Sequence, residues 1–107
     1  MSYKIDLQVI ADELEFDLED VEMIMDSFLE NAKINLLSLH KAVESNSYEE
    51  ILTSAHAIKG SALNLLLDDI GSLAKELELS AMDKKSIDYL KLYEELTLLI
   101  NGLKDEE

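Results

Sequence analysis

Leu18-Glu19-Asp20-Val21-Glu22-Met23-Ile24-Met25-Asp26-Ser27-Phe28-Leu29-Glu30-Asn31-Ala32-Lys33-Ile34-Asn35-Leu36-Leu37-Ser38-Leu39-His40-Lys41-Ala42-Val43 is the stretch on which the architecture turns. Val21, Met25, Phe28, Ala32, Leu36, Leu39 and Val43 recur in steps of three or four, which stacks them on one face of a long amphipathic helix. Asp17 is placed to cap its free N–H groups, and Glu19, Asp20 and Glu22 lie where the helix dipole favours negative charge. Toward the N-terminus, Leu7 to Leu14 predicts a shorter helical piece. Toward the C-terminus, Ser45-Asn46-Ser47 breaks the pattern, and Ser47-Tyr48-Glu49-Glu50 has the form of a capping box. It opens a helix with Ile51, Ala55, Ile58, Ala62 and Leu65 on one stripe, running to about Leu66. Asp68-Asp69 can cap the next, which carries Ile70, Leu73, Ala74, Leu77 and Ala81. After Met82-Asp83-Lys84-Lys85, Ser86 can cap a last helix with Leu90, Tyr93, Leu96, Ile100 and Leu103 inward, and Gly102 lies where a helix commonly exits through positive φ. Short links between amphipathic helices predict an all-α fold, an antiparallel four-helix bundle with a short additional N-terminal helix, and residues 1–107 are expected to form a single domain. The terminal Lys104-Asp105-Glu106-Glu107 is expected to fray.

Composition agrees and removes several functions. A chain of 107 residues with Pro 0 and Gly 3 has too few turn-formers for a β-rich fold, and Cys 0 excludes disulfides, thiolate metal sites and cysteine nucleophiles. Nine lysines against 24 carboxylates leave a net charge of −15, which repels a phosphate backbone, so nucleic acid is not an expected partner. The start of the chain has no targeting pattern, and no apolar run spans a membrane, so a cytoplasmic protein without membrane contact is expected. Bundle di-metal sites need a Glu three residues before each His, but Leu37 precedes His40 and Thr53 precedes His56; no D-x-D-x-D-G loop occurs, and no intrinsic metal or cofactor is predicted.

The chemically informative string is Ala55-His56-Ala57-Ile58-Lys59-Gly60-Ser61-Ala62-Leu63-Asn64-Leu65. At about 100° per residue, with Ile51 at zero, the core stripe centres near 20° and His56 falls near 140°, which predicts an exposed imidazole. Lys59, Leu52, Leu63 and Leu67 fall at about 80°, 100°, 120° and 160°, so one cation and three leucines are expected around it, the leucines forming a docking patch. Gly60 costs about 1 kcal/mol relative to Ala inside a helix and one turn beyond a histidine lets another group come close. No carboxylate occurs between Ile51 and Leu67, which predicts a local relief of the acidic field. These are features suited to phosphoryl acceptance: imidazole is largely the free base near neutrality, nearby acids would repel the incoming anion, and a lysine at i+3 offsets its charge.

The string resembles the motif H-x-[LI]-K-G-[SA]-[SA]-x-x-L of histidine-containing phosphotransfer (HPt) domains, matching at His56, Ile58, Lys59, Gly60, Ser61, Ala62 and Leu65. The resemblance implies that His56 takes a phosphoryl group from a receiver-domain aspartate and passes it to another. Lys59 would assist the phosphoryl group and Gly60 would leave room for the receiver. It implies a relay without kinase activity of its own, whose partners are response-regulator receivers and a hybrid sensor histidine kinase, with Mg²⁺ supplied by the receiver; a free-standing monomer is expected. Ser61 and Asn64 are secondary binding candidates, although Ser61 can also bond a carbonyl one turn earlier. Members of the family commonly carry Gly-Ala soon after the motif leucine, whereas this chain has Leu66-Leu67.

Two other readings compete. Asp26-Ser27-Phe28 is similar to the Asp-Ser-Leu attachment site of acyl carrier proteins, but Ser27 falls inside the long periodic stretch instead of at a helix start. A plain helical interaction module would use the leucine patch and leave His56 incidental. His40 lacks the Lys-Gly pair and is expected to be a structural or surface histidine.

Overall fold

The computed structural model describes residues 4–104 and contains five helices: α1 Leu7–Leu14, α2 Leu18–Glu44, α3 Tyr48–Asn64, α4 Asp68–Met82 and α5 Tyr89–Asn101. Helices α2 to α5 form the bundle and α1 packs beside α2, the architecture that the periodicity predicts. Helices α2 and α5 run antiparallel, since Lys104 just beyond α5 meets Asp26 near the start of α2 while Tyr93 meets His40 near its end. The Lys104–Asp26 pair, at 3.2 Å, and the Lys4 N–H to Leu103 carbonyl bond, at 2.8 Å, tie the chain ends to the bundle, so Lys104 is not frayed; residues 105–107 lie outside the described residues.

The core is the predicted set with small changes of phase. Val21, Met25, Phe28, Ala32, Leu36 and Leu39 are buried on α2, joined by Ala42 while Val43 is half-buried. On α3, Ile51, Ala55, Ile58, Ala62 and Leu65 are all buried. On α4, Ile70, Ala74, Leu77 and Ala81 are buried and Leu73 is partly so. On α5, Tyr89 replaces Leu90 in the core; its hydroxyl donates to the Lys85 carbonyl at 2.7 Å and its ring meets Tyr48 edge-on, which gives the polar tip a partner that a leucine would not need.

The turns depart from the glycine-based expectation. Glu15, Asn46, Leu66 and Lys84 have φ of 58°, 55°, 59° and 53°, one after each of the first four helices. Behind each, the next N–H reaches back to a carbonyl five residues earlier: Phe16 to Ala11, Ser47 to Ala42, Leu67 to Ala62 and Lys85 to Ser80, at 2.9 to 3.0 Å. This is the helix-ending motif that glycine usually serves, here made by residues bearing a Cβ. Gly102 instead has φ of −77°, so the positive-φ exit expected there is not made.

The caps differ too. Ser47 accepts from the Glu50 N–H at 3.3 Å, but the reciprocal half of the capping box is absent because the Ser47 N–H is spent on Ala42. Asp17 makes no side-chain cap bond, Asp68 and Asp69 sit in the first turn of α4 behind Leu67, and α5 is capped by Asp88, which accepts from the Lys91 N–H at 3.1 Å, instead of by Ser86.

Candidate functional site

Helices α3 and α4 form an antiparallel hairpin that makes the most extensive helix–helix contact in the chain, and the site lies on its seam. Gly71 allows the approach. A Cβ at that position would stand 2.5 Å from Leu63 Cδ2, so the glycine admits the leucine into the seam. Seven residues back along α3, and seven forward along α4, His56 faces Glu78.

Three side chains meet there. The His56 ring is 64% exposed, as its helical position predicts, while the Glu78 carboxylate is only 6% exposed. Nδ1 of His56 lies 2.5 Å from Glu78 Oε2, and Lys59 Nζ donates to the other oxygen, Oε1, at 2.6 Å. The Lys59 hydrogen bond holds the Glu78 carboxyl below its ordinary range, against the opposing effect of burial, with the His56 hydrogen bond and the charges of both neighbours adding to the lowering. An ionised carboxylate only accepts, so Nδ1 carries a proton toward it, and in the neutral form of the ring the lone pair is on Nε2, on the far side. The arrangement is an imidazole of fixed tautomer whose free nitrogen faces outward from the protein.

Sequence reasoning missed Glu78. The absence of carboxylates between Ile51 and Leu67 holds along α3, but the fold brings an acid from α4 against the ring, so the expected acid-free setting is not what exists. The signal was there in weak form: Glu78 follows the core residue Leu77 and lies four after Ala74 and three before Ala81, both buried, which puts a carboxylate on the edge of an apolar stripe.

The other candidates are dispersed around this centre. Lys59 is only 23% exposed, since its stem is packed along the seam to reach Glu78. Gly60 is exposed, and a Cβ there would meet nothing within 4 Å, so no packing inside the chain demands a glycine. Leu52 is half-buried and Leu63 is 46% exposed. Leu67 is buried, because the left-handed turn at Leu66 rotates it inward and leaves Leu66 exposed, so the leucine patch is smaller than expected. Ser61 and Asn64 are exposed on the open side of α3, and the Ser61 hydroxyl makes no hydrogen bond to the preceding turn. His40 pairs with Glu44 on its own helix and its ring lies 5.1 Å from that of Tyr93. Ser27 is exposed well inside α2, without the helix-start setting of a carrier arm. Among the described residues, no group of three or more His, Cys, Asp or Glu side chains gathers as metal ligands would, and no helix is long and apolar enough to cross a membrane.

Fold and site together define a helical carrier built around one outward, carboxylate-oriented imidazole. The chain belongs to the Hpt domain family, whose model matches residues 23–106. In structure it is similar to histidine-containing phosphotransfer protein B (HptB) from Pseudomonas aeruginosa PAO1, with a TM-score of 0.80 and 25% identity over 91% of this chain and 84% of that one. No curated protein matches the sequence. The function is histidine phosphotransfer in phosphorelay signalling, exercised through receiver domains and kinases.

Proposed function

We propose that His56 is the residue that carries the phosphoryl group. The observation behind this reading is the contact of an exposed imidazole with a buried, ionised carboxylate through Nδ1, which leaves Nε2 as an outward nucleophile. In transfer from a receiver, the Nε2 lone pair attacks the phosphorus of an aspartyl phosphate, the P–O bond breaks, and its electron pair leaves with the receiver carboxylate. The ring becomes a phosphorylated imidazolium, and Glu78 stabilises the positive charge that develops on it through Nδ1–H. The reverse transfer runs over the same path. Glu78 thus acts on the phosphoryl group only through the ring, as a positioning residue.

Lys59 is shared between Glu78 and the incoming phosphoryl group, and part of its charge offsets the anion. Gly60 keeps the surface one turn beyond His56 low, so that a receiver can bring its aspartate to Nε2; Leu52 and Leu63 supply apolar contact on the α4 side, and Ser61 and Asn64 polar contact on the other. Mg²⁺ would enter with the receiver. The protein acts as carrier and substrate without kinase activity of its own, as a cytoplasmic monomer, between receivers that include that of a hybrid sensor kinase.

The test is incubation with a phosphorylated receiver domain and Mg²⁺, followed by detection of acid-labile, base-stable label. Label in the wild-type protein and none in His56→Gln is the expected result. Label that persists in His56→Gln would remove the assignment, and absence of label from any receiver would favour a plain interaction module.

A further inference from the structure

Lys59 is the only lysine of α3 and Lys75 the only one of α4. The register fixed by His56 with Glu78 and by Leu63 with Gly71 puts Lys75 level with Lys59 across the seam. Lys75 lies about 60° round α4 from Glu78, on the side away from the buried Leu77 and Ala81. It is exposed, as His56 is, so each helix presents one of these residues on the outward shoulder of the shared seam. One helical turn, about 5 Å, separates Lys75 from the level of His56, the offset across which lysine side chains ordinarily meet partners.

The charges of the site give that position a use. Glu78 and Lys59 are paired at 2.6 Å and together contribute no net charge. A phosphoryl group on Nε2 would bring close to two negative charges to a surface whose one engaged cation is shared with Glu78. Lys75 makes no ion pair among the described residues; of the acids of α4 besides Glu78, Glu76 and Asp69 lie about 160° and 180° round the helix from Glu78, and Asp68 shares the side of Lys75 but lies two turns away. On α3, the closest carboxylate on the His56 side is Glu49, two turns away.

We propose that Lys75 is a second phosphoryl-binding residue, which approaches the group on His56 Nε2 from α4 while Lys59 is shared between that group and Glu78. The inference rests on His56 being the phosphoryl carrier, and the test separates the two.

The protein is phosphorylated with potassium phosphoramidate, which needs no receiver: the phosphoramidate P–N bond breaks as the P–Nε2 bond forms, and the nitrogen departs with the electron pair as ammonia. ³¹P NMR then follows the pH titration of the phosphoryl signal. A cation at roughly 6 to 7 Å in water favours the dianion enough to lower the titration midpoint by about 0.5. Lys75→Met is therefore expected to raise the midpoint by about 0.5, Lys75→Arg to keep it at the wild-type value, and Lys91→Met, which removes an equal charge from α5, to leave it unchanged. A wild-type midpoint in Lys75→Met, or an equal rise in Lys91→Met, overturns the role of Lys75 while leaving His56 as the carrier. A phosphohistidine signal that survives in His56→Gln, or that never forms in the wild type, overturns both.

Discussion

The chain has two histidines, and each touches a glutamate through Nδ1. His40 meets Glu44 at 3.1 Å, one turn along the same helix, with the two side chains 42% and 65% exposed. His56 meets Glu78 at 2.5 Å from another helix, and that glutamate is 6% exposed and held on its other oxygen by Lys59. The difference is one of immobility. Glu44 is a solvated side chain with many rotamers, and an exposed pair of this kind contributes little, whereas Glu78 has one position because burial and Lys59 leave no other. A histidine–carboxylate contact therefore does not mark a reactive imidazole; a carboxylate that cannot move away does. The Tyr93 ring beside His40 adds to the contrast, since it lies against a face that in His56 is open to a partner.

The largest effect that separates the two sites is expected from the glutamates. Hydrogen bonds to charged groups are worth about 1.5–3 kcal/mol, so Glu78→Gln should slow phosphotransfer by about 10- to 100-fold. Glu44→Gln should leave the rate as it is. Equal rates in the two variants would break the comparison.

Lys59→Ala comes next. It is expected to slow transfer by about tenfold and also to lower stability to urea by about 1–3 kcal/mol, because Glu78 then keeps a buried charge with His56 as its sole partner. A loss of rate with no loss of stability would show that Lys59 does not hold Glu78.

The acid limb of stability gives a third separation. The folded Glu78 carboxyl lies below its ordinary value of 4.5, so its contribution is complete above that value and is lost as pH falls through the lowered folded value. Urea unfolding followed from pH 6 to pH 3 should therefore fall less steeply in Glu78→Gln than in the wild-type protein, while Glu44→Gln should follow the wild type.

How much of this was legible in the sequence depends on whether the determinant was local. The helices, their buried stripes and the outward direction of His56 follow from spacing within single helices, and Ile51, Ala55, Ile58, Ala62 and Leu65 emerge on the core face as a group. What spacing cannot encode is register between helices. Glu78 is 22 residues from His56, and only the packing of Leu63 into Gly71 brings the two level. Turn chemistry was hidden for a different reason: Glu15, Leu66 and Lys84 are poor markers of a left-handed turn, and the three glycines of the chain serve other ends.

Gly60 and Gly71 refine the same contrast between residues that serve the chain and those that serve a partner. Gly60→Ala should stabilise the protein by about 0.5–1 kcal/mol, since the new Cβ meets nothing and helix propensity improves. Gly60→Leu should keep the stability but weaken receiver binding, as read by titration against a labelled receiver; wild-type affinity would count against close approach. The smallest effect is expected at His40→Gln, with transfer unchanged and stability altered by less than about 0.5 kcal/mol.

The most direct measurement is the position of the phosphoryl group on the ring. After transfer from a phosphorylated receiver, ³¹P and ¹H NMR of the protein at alkaline pH distinguish the Nε2 from the Nδ1 isomer of phosphohistidine. The structure leads to a single phosphoryl group on Nε2 of His56, with Nδ1 still on Glu78. Phosphorus on Nδ1, or on His40, would contradict it.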